Sequence, residues 1–366
     1  MSFVAVPAVR PPGRQRRTRR SGLVPVLAAA LLAAGCGSAA PAAGDRTESS
    51  VTGPAPSVVE SRSVAGPSRS APPAAGYPFS VQNCGSTVTV SAPPRRILTI
   101  KSTSLELLLA LGVGDRVVGS AFLDGPVPEP WAAAAAKVPV LSDKAPAQEP
   151  VLELGPDLIV AGWESNLAAD TAGTRQSLAA KGIASYVSPA ACQGKYQPPK
   201  LTYPMVFDSF KEMGRLLGVP ERADALVTEQ TALLRTVTKA PAGTTALWWS
   251  SGNATPYVGA GIGAPQMVMD AVGLTNIAAD IPQTWTSLGW EPIIAANPDV
   301  IVLVDASWNP AAKKIAALES NPATARMDAV VKHRFVTIPF PASEAGVRSV
   351  QAAVDIGTQV RDLGIG

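Results

Sequence analysis

The residues able to do chemistry in this 366-residue chain are few: one His, three Cys and seven Trp. A single His, His333, excludes a three-His zinc site and a His-x-x-x-His motif, and any Ser/His or Cys/His pair would have to use it. It stands in Lys332-His333-Arg334, a polar triplet before an apolar run that reads as a solvated turn. With no Gly-x-Ser-x-Gly elbow and no metal-ligand cluster, the residues point away from an enzyme and imply no cofactor. The tryptophans say more. Trp163, Trp249, Trp285 and Trp308 fall at or near the ends of apolar strand-like runs, where α/β lobes hold their ligands, and predict a large planar ligand stacked between aromatic faces. Lys101, Glu164, Ser165 and Tyr257 occupy similar positions. Lys101 and Arg348 would give a phosphate or carboxylate its positive partner, which makes the expected ligand planar and anionic. Arg348 has an alternative partner in Glu344, one turn earlier. Gly259-Ala260-Gly261-Ile262-Gly263, ahead of a helical stretch at 266–272, is either an anion-binding loop or a tight turn.

The elements that must position these side chains are short apolar runs at 97–100, 117–119, 158–161, 184–187, 246–249, 300–304 and 335–338, alternating with helical stretches. That alternation predicts an α/β fold with parallel strands buried on both faces. An internal repeat divides it. Glu149-Pro150-Val151-Leu152 leads to Pro156-Asp157 and a strand; Glu291-Pro292-Ile293-Ile294 leads to Pro298-Asp299 and a strand. Each unit reads as a short helix with Pro at its first position, stopped by a second Pro, that feeds a buried strand, so two lobes of like topology are expected. Glu149 and Glu291 are either simple first-turn acids that complement a helix dipole or matched surface contacts. Between the lobes, helical spacing from Glu221 onward predicts one helix of about 18 residues, roughly 27 Å, long enough to join them.

The ends of the chain are spent otherwise. Six arginines and no acid precede residue 36, followed by an apolar run at 23–34 and Ala33-Ala34-Gly35-Cys36. This is the order of a secretory signal, and the run is too short to span a bilayer. The small residues before Cys36 resemble a bacterial lipobox, with Ala33 where Leu is usual, so Cys36 is the expected lipidation site. Residues 36–78, rich in Ala, Ser, Pro and Gly, read as a disordered tether. Without those six arginines 25 basic residues face 28 acidic ones, a balance that excludes nucleic acid as the main partner. Cys84 and Cys192 remain for an oxidising compartment, as one disulfide or as two buried thiols. The expected organisation is therefore signal peptide 1–35, tether 36–78, N-terminal lobe 79–200, interlobe helix region 201–240 and C-terminal lobe 241–366.

In this order, Pro94-Arg95-Arg96-Ile97-Leu98-Thr99-Ile100, the Glu106-Leu107-Leu108-Leu109-Ala110-Leu111-Gly112 helix, Gly114-Asp115-Arg116-Val117-Val118-Gly119, the two Pro-Asp strands and Gly273-Leu274-Thr275-Asn276 resemble one family. It is the helical-backbone class (class III) of ABC-importer substrate-binding proteins, which serves ferric siderophores, haem and cobalamin. The resemblance covers nearly all of residues 79–363. It implies two α/β lobes joined by one long helix, a monomer tethered by lipid to the outer face of the cytoplasmic membrane, and partners in an ABC permease and ATPase. It also implies that Glu149 and Glu291 each dock an Arg cluster on the permease. Ala121-Phe122-Leu123-Asp124-Gly125-Pro126, Gly162-Trp163-Glu164-Ser165-Asn166, Thr284-Trp285-Thr286-Ser287-Leu288-Gly289-Trp290 and Pro341-Ala342-Ser343-Glu344-Ala345-Gly346-Val347-Arg348 look like a narrower actinobacterial group proposed to import a deazaflavin coenzyme (F-420) precursor. A surface receptor that senses its ligand instead of delivering it would share the same fold.

Overall fold

The computed structural model describes residues 76–365; the expected signal peptide, Cys36 and almost all of the tether lie outside them. The described chain opens with an antiparallel hairpin, β1 (Phe79–Asn83) and β2 (Ser86–Val90), turning at Cys84 and Gly85 with φ of 47° and 77°. Two successive positive φ values are the geometry a two-residue hairpin needs. The N-terminal lobe then alternates strands and helices: β3 (Ile97–Ile100), α1 (Ser102–Ala110), β4 (Val117–Ala121), α2 (Ala132–Ala135), β5 (Val140–Ser142), α3 (Gln148–Leu154), β6 (Leu158–Ala161), α4 (Arg175–Ala179) and β7 (Ala184–Val187). Its sheet, in the order β5-β4-β3-β6-β7, is parallel throughout. Strands β3 and β6 are buried along their whole length, as strands covered by helices on both faces must be.

Two helices follow, α5 (Tyr203–Leu217) and α6 (Pro220–Leu234). The single interlobe helix expected from Glu221 is α6, but it has a companion. Near the start of α5, the Tyr203 hydroxyl donates to the Ser349 carbonyl in the C-terminal lobe. At its other end Arg116 donates to the Leu217 carbonyl in the N-terminal lobe, and Arg222 on α6 to the Gly112 carbonyl. The chain thus passes between the lobes on α5 and returns on α6. The pair packs tightly at Gly214, where a Cβ would lie 2.4 Å from the Ala223 Cβ. Gly214→Ala is expected to force the helices apart and cost about 1–3 kcal/mol; a denaturant midpoint equal to wild type would contradict this packing.

The C-terminal lobe continues with β8 (Thr245–Ser251), β9 (Tyr257–Gly259), α7 (Ala264–Val272), β10 (Thr275–Asn276), β11 (Trp285–Ser287), α8 (Trp290–Ala296), β12 (Val300–Asp305), α9 (Ala311–Ser320), α10 (Asp328–Val331), β13 (Phe335–Pro339) and α11 (Ser349–Asp362). Its sheet runs β11-β9-β8-β12-β13, with β10 beside β8. The wholly parallel sheet expected here is parallel at β10, β8, β12 and β13 only; β9 and β11 are antiparallel. The connection from β8 to β9 is too short to cross over, so it can only make a hairpin.

The repeat has the same structural meaning in both lobes. Helices α3 and α8 end on left-handed residues, Gly155 and Asn297. The following Asp157 accepts from the Arg95 and Arg96 amides just before β3, and Asp299 from the Thr245 amide and hydroxyl at the start of β8. One core runs from Ile97 and Leu158 through Phe210, Met213 and Leu226 to Val268, Val302 and Ile356. The helix pair thus shares one core with both lobes. Among the described residues no helix is long and apolar enough to cross a membrane.

Candidate functional site

Loops at the carboxyl ends of the strands in both lobes converge on one cleft of about 690 Å³, a size typical of small-molecule sites. The N-terminal lobe contributes Thr103, Trp163, Ser165, Ser188, Gln193 and Gln197. The opposite wall holds Ser250, Tyr257, Gln283, Trp285, Trp308 and Phe340, with Glu344. Tyr257 and Trp285 lie on paired strands β9 and β11 and stack, centroids 5.9 Å apart at 13°. Trp308, 59% exposed, meets the edge of Phe340 at 5.6 Å. Trp163 packs edge-on against Phe122, 5.5 Å away. The disulfide Cys84–Cys192 ties the β1–β2 hairpin to the loop that carries Gln193 and Gln197.

Of the expected ligand residues, Trp163, Ser165, Tyr257, Trp285 and Trp308 line this cleft, and Lys101, Glu164, Trp249 and Arg348 do not. Trp249 sits mid-sheet on β8, fully buried, stacked edge-on against Trp290 and donating to the Ser251 carbonyl. Its neighbour Trp248 enters the core on the other face, because side chains alternate along a strand. Glu164 turns to the disulfide loop and accepts from the Gln193 amide at 2.7 Å.

Both cations expected to meet an anion are consumed inside the protein. Lys101, fully buried with φ 83°, pairs with Asp124, and its Nζ lies 3.6 Å from the Trp163 ring centroid and 4.4 Å from that of Phe122. Gly162 makes room for it, since a Cβ there would stand 2.7 Å from the Lys101 Cβ. Arg348 does not pair with Glu344. It grips Glu106 of the other lobe with two nitrogens, Nε to Oε2 at 2.7 Å, and donates to the Pro126 carbonyl. Burial pushes the Glu106 carboxyl above its ordinary range despite that partner. Among the described residues no Lys or Arg lines the cleft, so neither of the two cations expected to meet an anion stands where a ligand would lie. The glycine-rich loop pairs with the segment before β11: the Ala260, Gly261 and Ile262 amides donate to the Thr284, Ile281 and Gln283 carbonyls, which leaves these three amides nothing for an anion.

Glu344 and Phe340 were missed as wall residues, although the rule of looking just past each strand, applied to β13, finds both. Trp163 Nε1 donates to Glu344 Oε1 at 2.6 Å, a bond from one lobe to the other. Burial, opposed by Lys101, pushes the Glu344 carboxyl up to about 7. Glu149 and Glu291 are not in the cleft lining; they are exposed first-turn residues of α3 and α8. His333 occupies an exposed turn beside Glu319. Among the described residues no three His, Cys, Asp or Glu side chains gather to hold a metal ion.

The comparisons agree with this architecture. Residues 97–342 match the profile of the family described as "Periplasmic binding protein". The chain is 24% identical, over 294 residues, to an uncharacterized ABC transporter substrate-binding lipoprotein, YvrC, of Bacillus subtilis (strain 168); the match spans 78% of this chain and 86% of that one. A periplasmic binding protein from Veillonella parvula shares its fold with a TM-score of 0.69 at 22% identity, over 78% of this chain and 98% of that one. An ABC-type Fe3+-hydroxamate transport system structure from Saccharomonospora viridis gives 0.67 at 24% identity, over 77% and 99%. With its profile matched over more than half of the chain, and two α/β lobes meeting at a ligand-sized cleft, this protein belongs to the periplasmic binding protein family.

Proposed function

We propose that the protein is the extracytoplasmic, lipid-anchored and monomeric receptor of an ABC importer. It captures a flat conjugated ligand between its lobes and passes it to a permease, with no chemistry performed. The observation that carries the ligand class is the cleft lining: a stacked Tyr257–Trp285 pair, Trp163, Trp308 and Phe340, with neutral Ser, Thr and Gln side chains between them. Aromatic faces and uncharged hydrogen-bonding groups suit a planar heterocycle. The deazaflavin reading is kept in a changed form: the uncharged tricyclic chromophore fits the lining, whereas a phosphate on it would find no cation there. The lipoprotein relative supports the tether at Cys36 and the importer partnership. The core that the helix pair shares with both lobes supports small lobe movements. A ferric hydroxamate is the second reading, favoured by the same aromatic, Ser-, Thr- and Gln-bearing lining and by the transport system to which the Saccharomonospora structure belongs.

Titration of the chain from residue 37 onward with 5-deazariboflavin, ferric hydroxamates, haem and cobalamin, followed by tryptophan fluorescence, tests this. Saturable quenching is expected, and Trp308→Ala should weaken it roughly 3- to 10-fold, the worth of one stacking contact. Quenching by the hydroxamates alone would move the reading to siderophores. No quenching by any of the four would remove the aromatic cleft as the ligand site.

A further inference from the structure

We propose that Glu344 sets the specificity of this cleft, its second carboxylate oxygen accepting a hydrogen bond from an N–H that the ligand must present, as an amide or imide does. The inference rests on the cleft reading above and adds to it. Among the described residues Glu344 is the only formally charged side chain in the cleft lining. Oε1 is held by Trp163, while Oε2 is buried and meets no donor among the described residues. A buried polar atom without a partner is costly, and of the four such atoms among the described residues, on Thr99, Gln230, Trp248 and Glu344, only that of Glu344 belongs to a residue lining the cleft.

The neighbouring charges show why the missing partner is a donor. One cation and two other acids act on this carboxyl, Lys101, Asp124 and Glu106, and each already has a partner: Lys101 with Asp124, and Glu106 with Arg348. Those pairs cancel, so Glu344 is an unmatched fifth charge. Its ordinary answer is to hold a proton, as its raised pKa reflects. Yet the Trp163 N–H donates to it, and an ionised carboxylate is the better acceptor of such a bond. A ligand N–H delivered to Oε2 would complete the same arrangement from the other side and release the proton. The aromatic faces then hold the ring plane, and Glu344 checks one edge of it.

Matched probes test this in the chain from residue 37 onward: 5-deazariboflavin against its N3-methyl derivative, and a neutral cyclic-peptide ferric trihydroxamate with and without methylated amide nitrogens. In the scaffold that wild type binds, the N–H form should bind at least about tenfold tighter, the worth of one bond to a charged group. That gap should close in Glu344→Leu and persist in part in Glu344→Gln, which keeps the shape and one acceptor. Because binding needs the carboxylate, affinity for the N–H form should fall as pH drops from 7 to 5, approaching tenfold per unit. Equal binding of the paired probes, a preference that survives Glu344→Leu, or affinity that rises on acidification would each overturn the assignment while leaving the cleft as the binding site. Absence of quenching by every probe would overturn the cleft reading and this assignment together.

Discussion

Lysine at both Glu149 and Glu291 should abolish coupling to the importer while leaving ligand binding unchanged. The two acids are the matched positions of the internal repeat, each exposed in the first turn of its helix and each on a different lobe. Neither lines the cleft, so their reversal has no route to the ligand. If each meets an arginine cluster on the permease, loss of one partner from a desolvated charge pair costs about 2–5 kcal/mol. Two such losses, made worse by like-charge contacts, should weaken docking by at least about 100-fold. Stimulation of ATP hydrolysis by the ligand-loaded protein, with its cognate permease and ATPase in lipid nanodiscs, measures this directly. Single reversals should give intermediate losses. Stimulation at the wild-type level by the double variant would show that these acids only complement their helix dipoles, and that docking lies elsewhere.

The second large effect is expected inside the molecule. Arg348→Ala removes the cation that two nitrogens hold against Glu106, whose side chain is 1% exposed. An isolated buried carboxylate is then left between the lobes, at a cost of about 3–5 kcal/mol. The variant's stability should recover on acidification. Burial already holds Glu106 above its ordinary value of 4.5, and without Arg348 the shift grows. A carboxyl with a raised folded-state pKa takes up its proton more readily folded than unfolded, so stability is gained as pH falls from that raised value towards 4.5 and lost as pH rises through the same window. Replacing both partners, as in Glu106→Leu with Arg348→Leu, should restore wild-type stability or exceed it, since the desolvation cost disappears with the charges. Urea midpoints at pH 7.5 and 5 for the single and double variants decide the matter. A single variant as stable as wild type at pH 7.5 would mean that water reaches Glu106 and that the pair is not a bridge.

Much of the site is legible in the sequence because strand ends can be read locally. Trp163, Ser165, Tyr257 and Trp308 each follow or open an apolar run, and the fold delivers such positions to the cleft. Glu344 and Phe340 obey the same rule after β13, and both line the cleft. Trp249 failed for a different reason. Its run looked as if it ended there, but β8 continues to Ser251 and lies at the centre of its sheet, so both Trp248 and Trp249 are claimed by core packing, and Ser250 and Ser251 reach the cleft instead.

Sequence alone determined the two-lobed α/β plan, the repeat that makes Asp157 and Asp299 equivalent, and the turn character of His333. These follow from periodicity and from Pro, Gly and Asp chemistry acting over a few residues. What only the tertiary structure decided is where the charges go. Arg348 finds Glu106 242 positions away, Lys101 finds Asp124 beneath a tryptophan, and the second interlobe helix packs at Gly214 against the first. Electrostatic pairing and desolvation act through space at a few ångströms, without regard to order along the chain. For that reason a cleft that looked cationic in sequence is uncharged in its lining apart from one glutamate.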